Sequence, residues 1–105
     1  MGIMSMLLGM GCDSLTPDEV KTMDKNGARF VLVDVRTPHE QAIRAIKGAK
    51  HIPLQELGER YGELPKDKDV VLYCQNGLRS LMACRMLKKL GYSRVKNMSG
   101  GISRW

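Results

Sequence analysis

Continuous apolar runs alternate along the chain with segments whose apolar residues recur at helical spacing. The runs 30–35 and 70–73 are rich in Val and Leu, which indicates strands that are buried on both faces. Shorter strands are predicted at 50–52 and 94–98. Because strands alternate with helical segments, the sequence predicts an α/β fold, a small parallel sheet covered by helices on both faces.

Capping signals mark where two of the helices begin. Segments 16–19 (Thr-Pro-Asp-Glu) and 37–40 (Thr-Pro-His-Glu) each place a hydroxyl at the cap, Pro at the first helical position and Glu three residues after the cap. The first helix is predicted to end at 26–27 (Asn-Gly). Apolar residues at helical spacing predict two further helices, over 54–64 and 80–90.

Length and composition favour one domain. The chain has 105 residues, of which 43% are hydrophobic and 27% charged, and this suits a single globular core. Residues 1–12 are apolar and rich in Met and Gly, but a membrane-spanning helix would need about 20 apolar residues. We expect this segment to be a leader or an added strand at the sheet edge, and residues 13–105 to form the domain. Residues 8–12 are also similar to a bacterial lipoprotein cleavage site, with Gly where a Leu is usual.

Charge and cysteine content narrow the function. The net charge of +6 favours anionic substrates or acidic partners. The basic residues are scattered and aromatic residues are few, so no nucleic-acid partner is predicted. With too short an apolar segment to span a bilayer, no membrane partner is predicted either. Three cysteines without paired spacing predict reduced thiols rather than disulfides, and therefore a cytoplasmic location. His39 and His51 lack ligand spacing with Cys12 or Cys84, so no metal site is predicted, and Cys84 is expected to be a core cysteine.

Cys74 occupies the position where chemistry is expected. It follows a buried strand directly, and the fourth helix is predicted to begin near Ser80. The carboxyl ends of parallel strands are where sites form in such sheets. Backbone N–H groups of 75–80 would converge on the thiol and lower its pKa below the usual value of about 8.5. Gly77 permits the positive φ that such a loop needs. The alternative is an inert buried cysteine, but the loop favours a reactive one.

The segment 74–80 (Cys-x-x-Gly-x-Arg-Ser) resembles the active-site loop of the single-domain rhodaneses, which are sulfurtransferases. Segment 34–36 (Asp-Val-Arg), with Glu40 four residues further on, resembles the first signature of that family. Segments 46–53 and 100–105 resemble its second and its terminal motifs. The resemblance therefore covers the chain from about residue 15 onward, in the order of the family.

The resemblance implies a ping-pong reaction without a cofactor. The Cys74 thiolate would take the outer sulfur of an anionic donor such as thiosulfate, become a persulfide, and pass that sulfur to cyanide, a thiol or a protein acceptor. Cys74 and Arg79 are assigned as catalytic, with Arg79 orienting the donor. The substrate-binding residues are those that would surround the persulfide with N–H groups: Gln75, Asn76, Gly77, Leu78 and Ser80.

Other residues near the loop are assigned supporting roles. Asp34 and Arg36 stand at a strand end and are expected to brace the loop by hydrogen bonds. Glu40 is explained by its place in a helix cap. Many relatives carry a basic residue where this chain has Gln75, so a protein persulfide is an alternative donor to thiosulfate.

Two rival functions stay open. The first is a phosphatase or arsenate reductase, because the dual-specificity phosphatases resemble the rhodanese fold and use a Cys…Arg loop. Their loops place five residues between Cys and Arg, whereas four separate Cys74 from Arg79, which favours a single sulfur atom over a tetrahedral anion. The other rival is a module that carries sulfur for a partner enzyme or docks onto it.

Overall fold

Five parallel strands form one sheet in the order β1-β5-β4-β2-β3. The computed structural model describes residues 11–105, so the expectations for the leader and the lipoprotein-like segment fall largely on residues outside the described part, and the boundary at 13 stays a prediction. The α/β fold with a parallel sheet is confirmed. The strands are β1 (Asp13–Leu15), β2 (Phe30–Asp34), β3 (Lys50–His51), β4 (Asp69–Tyr73) and β5 (Val95–Met98).

Helices lie between the strands as the pattern predicted. Both predicted capping boxes are formed, one by Thr16 with Glu19 and the other by Thr37 with Glu40. Among the described residues, no helix has the length and apolar character that crossing a bilayer requires. The helices are α1 (Pro17–Lys25), α2 (Pro38–Ile43), α3 (Leu54–Arg60, continued by a short 3-10 turn) and α4 (Leu78–Lys89).

The start of α4 differs from the prediction. The helix begins at Leu78 rather than near Ser80, because Gly77 adopts φ +98° and turns the chain into the helix at once. Leu78 and Arg79 therefore belong to the first helical turn. The loop that follows β4 is correspondingly short.

The core has two layers, one on each face of the sheet. Along β4 the side chains alternate, so that Val70 and Leu72 face one layer while Val71 and Tyr73 face the other. Residues of α3 and α4 complete the first layer, and Val20 of α1 belongs to the second. The prediction of helices on both faces is thereby confirmed, and Cys74 extends the first layer to the carboxyl edge of the sheet.

The expectation of three reduced thiols is wrong. Cys12 and Cys84 form a disulfide, with their Cα atoms 6.1 Å apart, and Cys74 is the free cysteine of the described residues. The two partners are 72 positions apart in sequence, so local spacing could not reveal the pair. They meet because β1 pairs with β5, on which α4 packs. Cys84 is buried as expected. Disulfides are rare in the cytosol, so the argument for a cytoplasmic location loses its basis.

Candidate active site

The loop between β4 and α4 rests on the turn that precedes the end of the chain. The N–H of Ile102 donates to the carbonyl of Cys74 at 2.9 Å, and the N–H of Ser103 donates to the carbonyl of Gln75 at 3.1 Å. Gly101, with φ +64°, presses its backbone against these two carbonyls. A Cβ at this position would collide with them. The loop therefore depends on a glycine distant in sequence for its shape.

Hydrogen-bond donors converge on the sulfur of Cys74, which is fully buried. The N–H of Gly77 donates at 3.1 Å and the N–H of Ser80 at 3.3 Å, while the Ser80 hydroxyl oxygen lies 3.3 Å from the sulfur. Burial raises the pKa of the Cys74 thiol, but donors from Ser80, Gly77 and Asn76 outweigh it and hold the pKa below its usual value. The predicted lowering of this pKa is confirmed, and the thiolate is the nucleophilic form.

Fewer N–H groups of the loop donate to the sulfur than predicted. The N–H of Leu78 donates to the side-chain oxygen of Asn76 at 3.1 Å, so it caps the loop instead of serving the sulfur. The Leu78 side chain is exposed at the surface. Of the predicted binding residues, Gly77 and Ser80 donate backbone hydrogen bonds to the sulfur, at 3.1 and 3.3 Å.

Arg79 is held in an ion pair that the sequence did not reveal. Its two terminal nitrogens donate to the two carboxylate oxygens of Glu40, each at 2.7 Å. The hydrogen bonds from Arg79 lead in lowering the pKa of Glu40 to about 2, assisted by Thr37 and opposed by burial. Glu40 therefore caps α2 and also binds α4, so the assignment of a capping role alone is wrong.

A buried pair braces the loop from below, as predicted. The Arg36 guanidinium donates to the Asp34 carboxylate at 2.8 and 3.0 Å and to the side-chain oxygen of Gln75 at 3.4 Å. The Tyr73 hydroxyl donates to the same carboxylate at 2.9 Å. Burial, with help from Asp34, raises the pKa of Tyr73 to about 12, so this hydroxyl stays a donor. The brace links the ends of β2 and β4 to the loop.

Asn97 on β5 belongs to the site, although the sequence analysis missed it. Its side-chain oxygen lies 2.5 Å from the hydroxyl oxygen of Ser80, and its amide nitrogen donates to the carbonyl of Gly77 at 3.2 Å. A polar residue at an inward position of the predicted strand 94–98 was the available signal. A buried amide in a strand needs partners.

The arrangement suits one small anionic atom bonded to Cys74. Backbone N–H groups fixed by a tight loop stabilise negative charge without having to reorganise, in the manner of an oxyanion hole. The donors sit at the start of α4, where the helix dipole adds to their effect. A reactive thiol with such surroundings can accept and release a group by nucleophilic substitution.

Comparison with known proteins agrees with this geometry. The rhodanese-like domain family matches residues 16–105. A sulfurtransferase of Allochromatium vinosum is 48% identical over 75 residues, which is 71% of this chain and 70% of that protein. The crystal structure of a rhodanese-like domain protein from Staphylococcus aureus has TM-score 0.84 and 30% identity, covering 89% of this chain and 90% of the other.

A larger protein carries a similar unit. The structure of an NAD-dependent persulfide reductase from A. fulgidus has TM-score 0.76 and 35% identity, and it covers 98% of this chain but 17% of the reductase. The chain belongs to the rhodanese-like domain family. Sulfur transfer is the general activity that these relatives support.

Proposed function

We propose that the chain transfers sulfane sulfur through a persulfide on Cys74. The observation that carries this proposal is the convergence of the Gly77 and Ser80 donors on a single buried sulfur atom. Donors that stabilise the thiolate before the reaction are also placed to stabilise the negative charge that a persulfide bears. The same set of dipoles can therefore serve both states of the cysteine.

The reaction consists of two substitutions at sulfur. In the first, the Cys74 thiolate attacks the outer sulfur of thiosulfate, the S–S bond of the donor breaks, and sulfite leaves with the electron pair. In the second, a nucleophile such as cyanide or a thiolate attacks the terminal sulfur of the persulfide. The Cys74 thiolate then leaves with the electron pair and is ready for another cycle. A low thiol pKa favours this departure.

Arg79 contributes to donor binding less directly than a free cation would. A sulfonate that approaches Arg79 competes with the Glu40 carboxylate for the same two nitrogens. We propose that Arg79 raises the potential at the loop and fixes the first turn of α4 against α2, while the overall charge of +6 concentrates anions nearby. A protein persulfide stays an alternative donor.

The surface beside the loop favours a protein as the sulfur acceptor. Among residues 11–105, the exposed large apolar side chains are Ile43, Leu78 and Met82, with exposures of 73%, 66% and 58%. They lie on α2 and α4, the helices that the Arg79–Glu40 pair joins. We propose that this apolar rim docks a protein thiol with acidic surroundings, because the chain itself is basic. The role of sulfur carrier for a partner enzyme would use the same rim.

Peptide acceptors test the docking proposal. Two cysteine peptides of equal apolar content, one flanked by Glu and the other by Lys, would be offered to the persulfide-loaded protein. We expect faster sulfur transfer to the Glu peptide, and we expect Met82→Ser to lower the ratio of peptide transfer to cyanide discharge several-fold. Ala28→Ser, at an exposed position before β2, is the control. Equal rates for both peptides, or an unchanged ratio in Met82→Ser, would exclude this rim.

Intact mass tests the central chemistry. Brief incubation with thiosulfate should add one sulfur atom to the protein, and cyanide should remove it as thiocyanate. Cys74→Ser should lose both steps and keep its fold, since the hydroxyl preserves the shape without the soft nucleophile. Thiocyanate production at the wild-type rate by Cys74→Ser would refute the proposal. Loading without repeated turnover would favour the carrier role over the enzyme.

The loop size argues against the phosphatase alternative. With four residues between Cys74 and Arg79, and with Arg79 bound to Glu40, the loop offers little to encircle a tetrahedral anion. We expect negligible hydrolysis of p-nitrophenyl phosphate at any mildly acidic or neutral pH. Phosphate release that disappears in Cys74→Ser would overturn this argument.

A further inference from the structure

The hydroxyl of Ser80 lies between two groups that can each accept a hydrogen bond from it. Its oxygen lies 3.3 Å from the sulfur of Cys74 and 2.5 Å from the side-chain oxygen of Asn97. A serine hydroxyl has a single proton and can donate it to one acceptor at a time. Ser80 and Asn97 are both buried, at 0% and 5% exposure, so water does not readily replace either partner.

The orientation of the Asn97 amide follows from its other contact. The carbonyl of Gly77 can only accept, so the group that faces it at 3.2 Å must be the NH₂ of Asn97. The oxygen of Asn97 then faces Ser80, and this oxygen can only accept as well. At 2.5 Å the two oxygens need a proton between them. In the neutral site, Ser80 therefore donates to Asn97, and its lone pair is left to accept from the Cys74 thiol.

We propose that Asn97 is a positioning residue that holds the proton of Ser80 whenever the sulfur of Cys74 is uncharged and yields that proton when the sulfur becomes a thiolate. The step is a rotation about the Cβ–Oγ bond of Ser80, in which no covalent bond forms or breaks. A charged acceptor forms the stronger hydrogen bond, so the thiolate wins the proton from the neutral amide oxygen. The competition leaves the thiolate less stabilised, and hence more nucleophilic, than undivided donation would.

The two half-reactions use this rotation in opposite directions. The sulfur bonded to the Cβ of Cys74 carries charge as the thiolate but is neutral in the persulfide, where the charge moves to the terminal sulfur. Loading therefore returns the Ser80 proton to Asn97, and discharge draws it back toward the leaving thiolate. This assignment of roles rests on the proposed function. The competition for the proton does not, because it concerns the thiol and thiolate alone.

The sign of a pKa change distinguishes this role from a merely structural one. In Asn97→Leu, Ser80 has lost its competing acceptor and can donate fully to the thiolate, so the pKa of Cys74 should fall by about 0.5 to 1 unit. If Asn97 only supported the loop, its removal would loosen the donors and raise the pKa. The carbonyl of Gly77 keeps a helical partner in the variant, because the N–H of Leu81 donates to it at 3.2 Å.

The thiolate titration can be followed directly by its ultraviolet absorbance, with Cys74→Ser as the blank. The charged groups around the loop are Arg79 and Glu40 on α4 and α2 and the Asp34–Arg36 pair at the end of β2. They are common to all variants compared, so they do not affect the difference.

A double-mutant cycle completes the test. The fall in pKa on Asn97→Leu should vanish in the Ser80→Ala background, where there is no proton to release. A pKa that is unchanged or raised in Asn97→Leu, or a fall that persists without the Ser80 hydroxyl, would overturn the proposal. Melting curves report folding, and if Asn97→Leu does not fold, Asn97→Ala is measured by the same criteria. Failure of sulfur loading would refute the proposed function while leaving this titration intact.

Discussion

The Cys74 loop has two walls of opposite character. Its inner wall consists of neutral groups: the N–H groups of Gly77 and Ser80 donate to the sulfur, and Asn97 contacts the Ser80 hydroxyl. Its outer wall, formed by the Arg79–Glu40 and Arg36–Asp34 pairs, carries full charges that are satisfied by each other. The hydrogen bonds that lower the thiol pKa come from the inner wall, whereas the outer wall joins secondary-structure elements.

The difference shows how a buried thiolate is stabilised without a dedicated cation. The fixed backbone dipoles of Gly77 and Ser80 cost little desolvation and keep their orientation as charge moves to the terminal sulfur. A buried lysine or arginine beside the sulfur would carry a desolvation cost of its own. Charges in the outer wall act on Cys74 at longer range. The pKa of Arg79 is raised mainly by its hydrogen bonds to Glu40 and to a smaller extent by the charge of Cys74. We therefore expect inner-wall changes to have the larger effects.

The largest expected effect comes from Gly101→Ala. The new Cβ would collide with the carbonyls of Cys74 and Gln75 at a residue with φ +64°, and both are backbone groups that cannot rotate away. Overpacking and left-handed strain together should lower the free energy of unfolding by about 3 kcal/mol or more. Sulfur transfer should fall by more than the loss of folded protein explains, because the hydrogen-bond donors around Cys74 move with the loop.

Gly27→Ala is the matched control for that substitution. Gly27 has φ +74°, but a Cβ there would meet open space. Its cost should therefore be the conformational strain alone, about 1 kcal/mol, with sulfur transfer unchanged. Chemical denaturation of both variants measures the two costs. If Gly101→Ala and Gly27→Ala lost the same stability and the same activity, the inner wall would not depend on Gly101.

Reduction of the Cys12–Cys84 disulfide should have the next largest effect. The bond closes a loop over a separation of 72 residues, and its loss should lower the free energy of unfolding by about 2–4 kcal/mol. The bond lies beyond the loop along α4, so the thiol pKa of Cys74 should hardly change. Denaturation with and without a reductant, with Cys12→Ser as the permanently open form, measures the difference. A large change in the Cys74 titration on reduction would instead couple the disulfide to the inner wall.

The sequence predicted the sheet, the helix caps and the position of Cys74 at the end of a buried strand because each depends on neighbouring residues. Apolar runs specify buried strands, and a Thr-Pro-x-Glu segment specifies a helix start within four positions. Cys74 was conspicuous in the sequence because a buried strand precedes it directly and a glycine and a helix follow it closely. The same local reasoning placed the start of α4 too late, since Leu78 and Arg79 are ordinary residues for either a loop or a helix.

What the sequence could not show depends on pairing between distant residues. Arg79 was prominent because it is charged, yet 39 positions separate it from Glu40, its partner. Asn97 was inconspicuous because it is neutral and lies in a strand, yet it contacts Ser80 across the sheet edge. The Cys12–Cys84 bond likewise follows from the order of the strands. A charged residue can be singled out from the sequence alone, whereas the role of a buried amide depends on neighbours that only the structure shows.

Arg79→Ala sharpens the comparison at the outer wall. Because Glu40 already occupies Arg79, the loss of thiosulfate binding should be modest, about 1 kcal/mol or roughly five-fold in kcat/KM. The effect should appear in KM and shrink as ionic strength rises, and a neutral sulfur donor should be less affected. Glu40→Gln is the informative partner, since releasing Arg79 should improve thiosulfate binding. If all donors fell equally in Arg79→Ala, the residue would hold the loop in shape and not attract the donor.

The smallest effect concerns the pH dependence that Glu40 gives to stability. Its pKa in the folded protein is lowered to about 2 from an ordinary value of 4.5, so the ion pair contributes fully above the ordinary value and is lost as the pH falls toward 2. About a third of each side chain is exposed, and solvent screening should limit the contribution to about 1 kcal/mol. Acid titration of the unfolding free energy should show wild type losing its advantage over Glu40→Gln between these two pH values. Glu40→Gln leaves the hydrogen-bond donors around Cys74 in place, so the comparison reports on the outer wall. An advantage that persists at pH 2 would mean that packing, rather than the ion pair, joins α2 to α4.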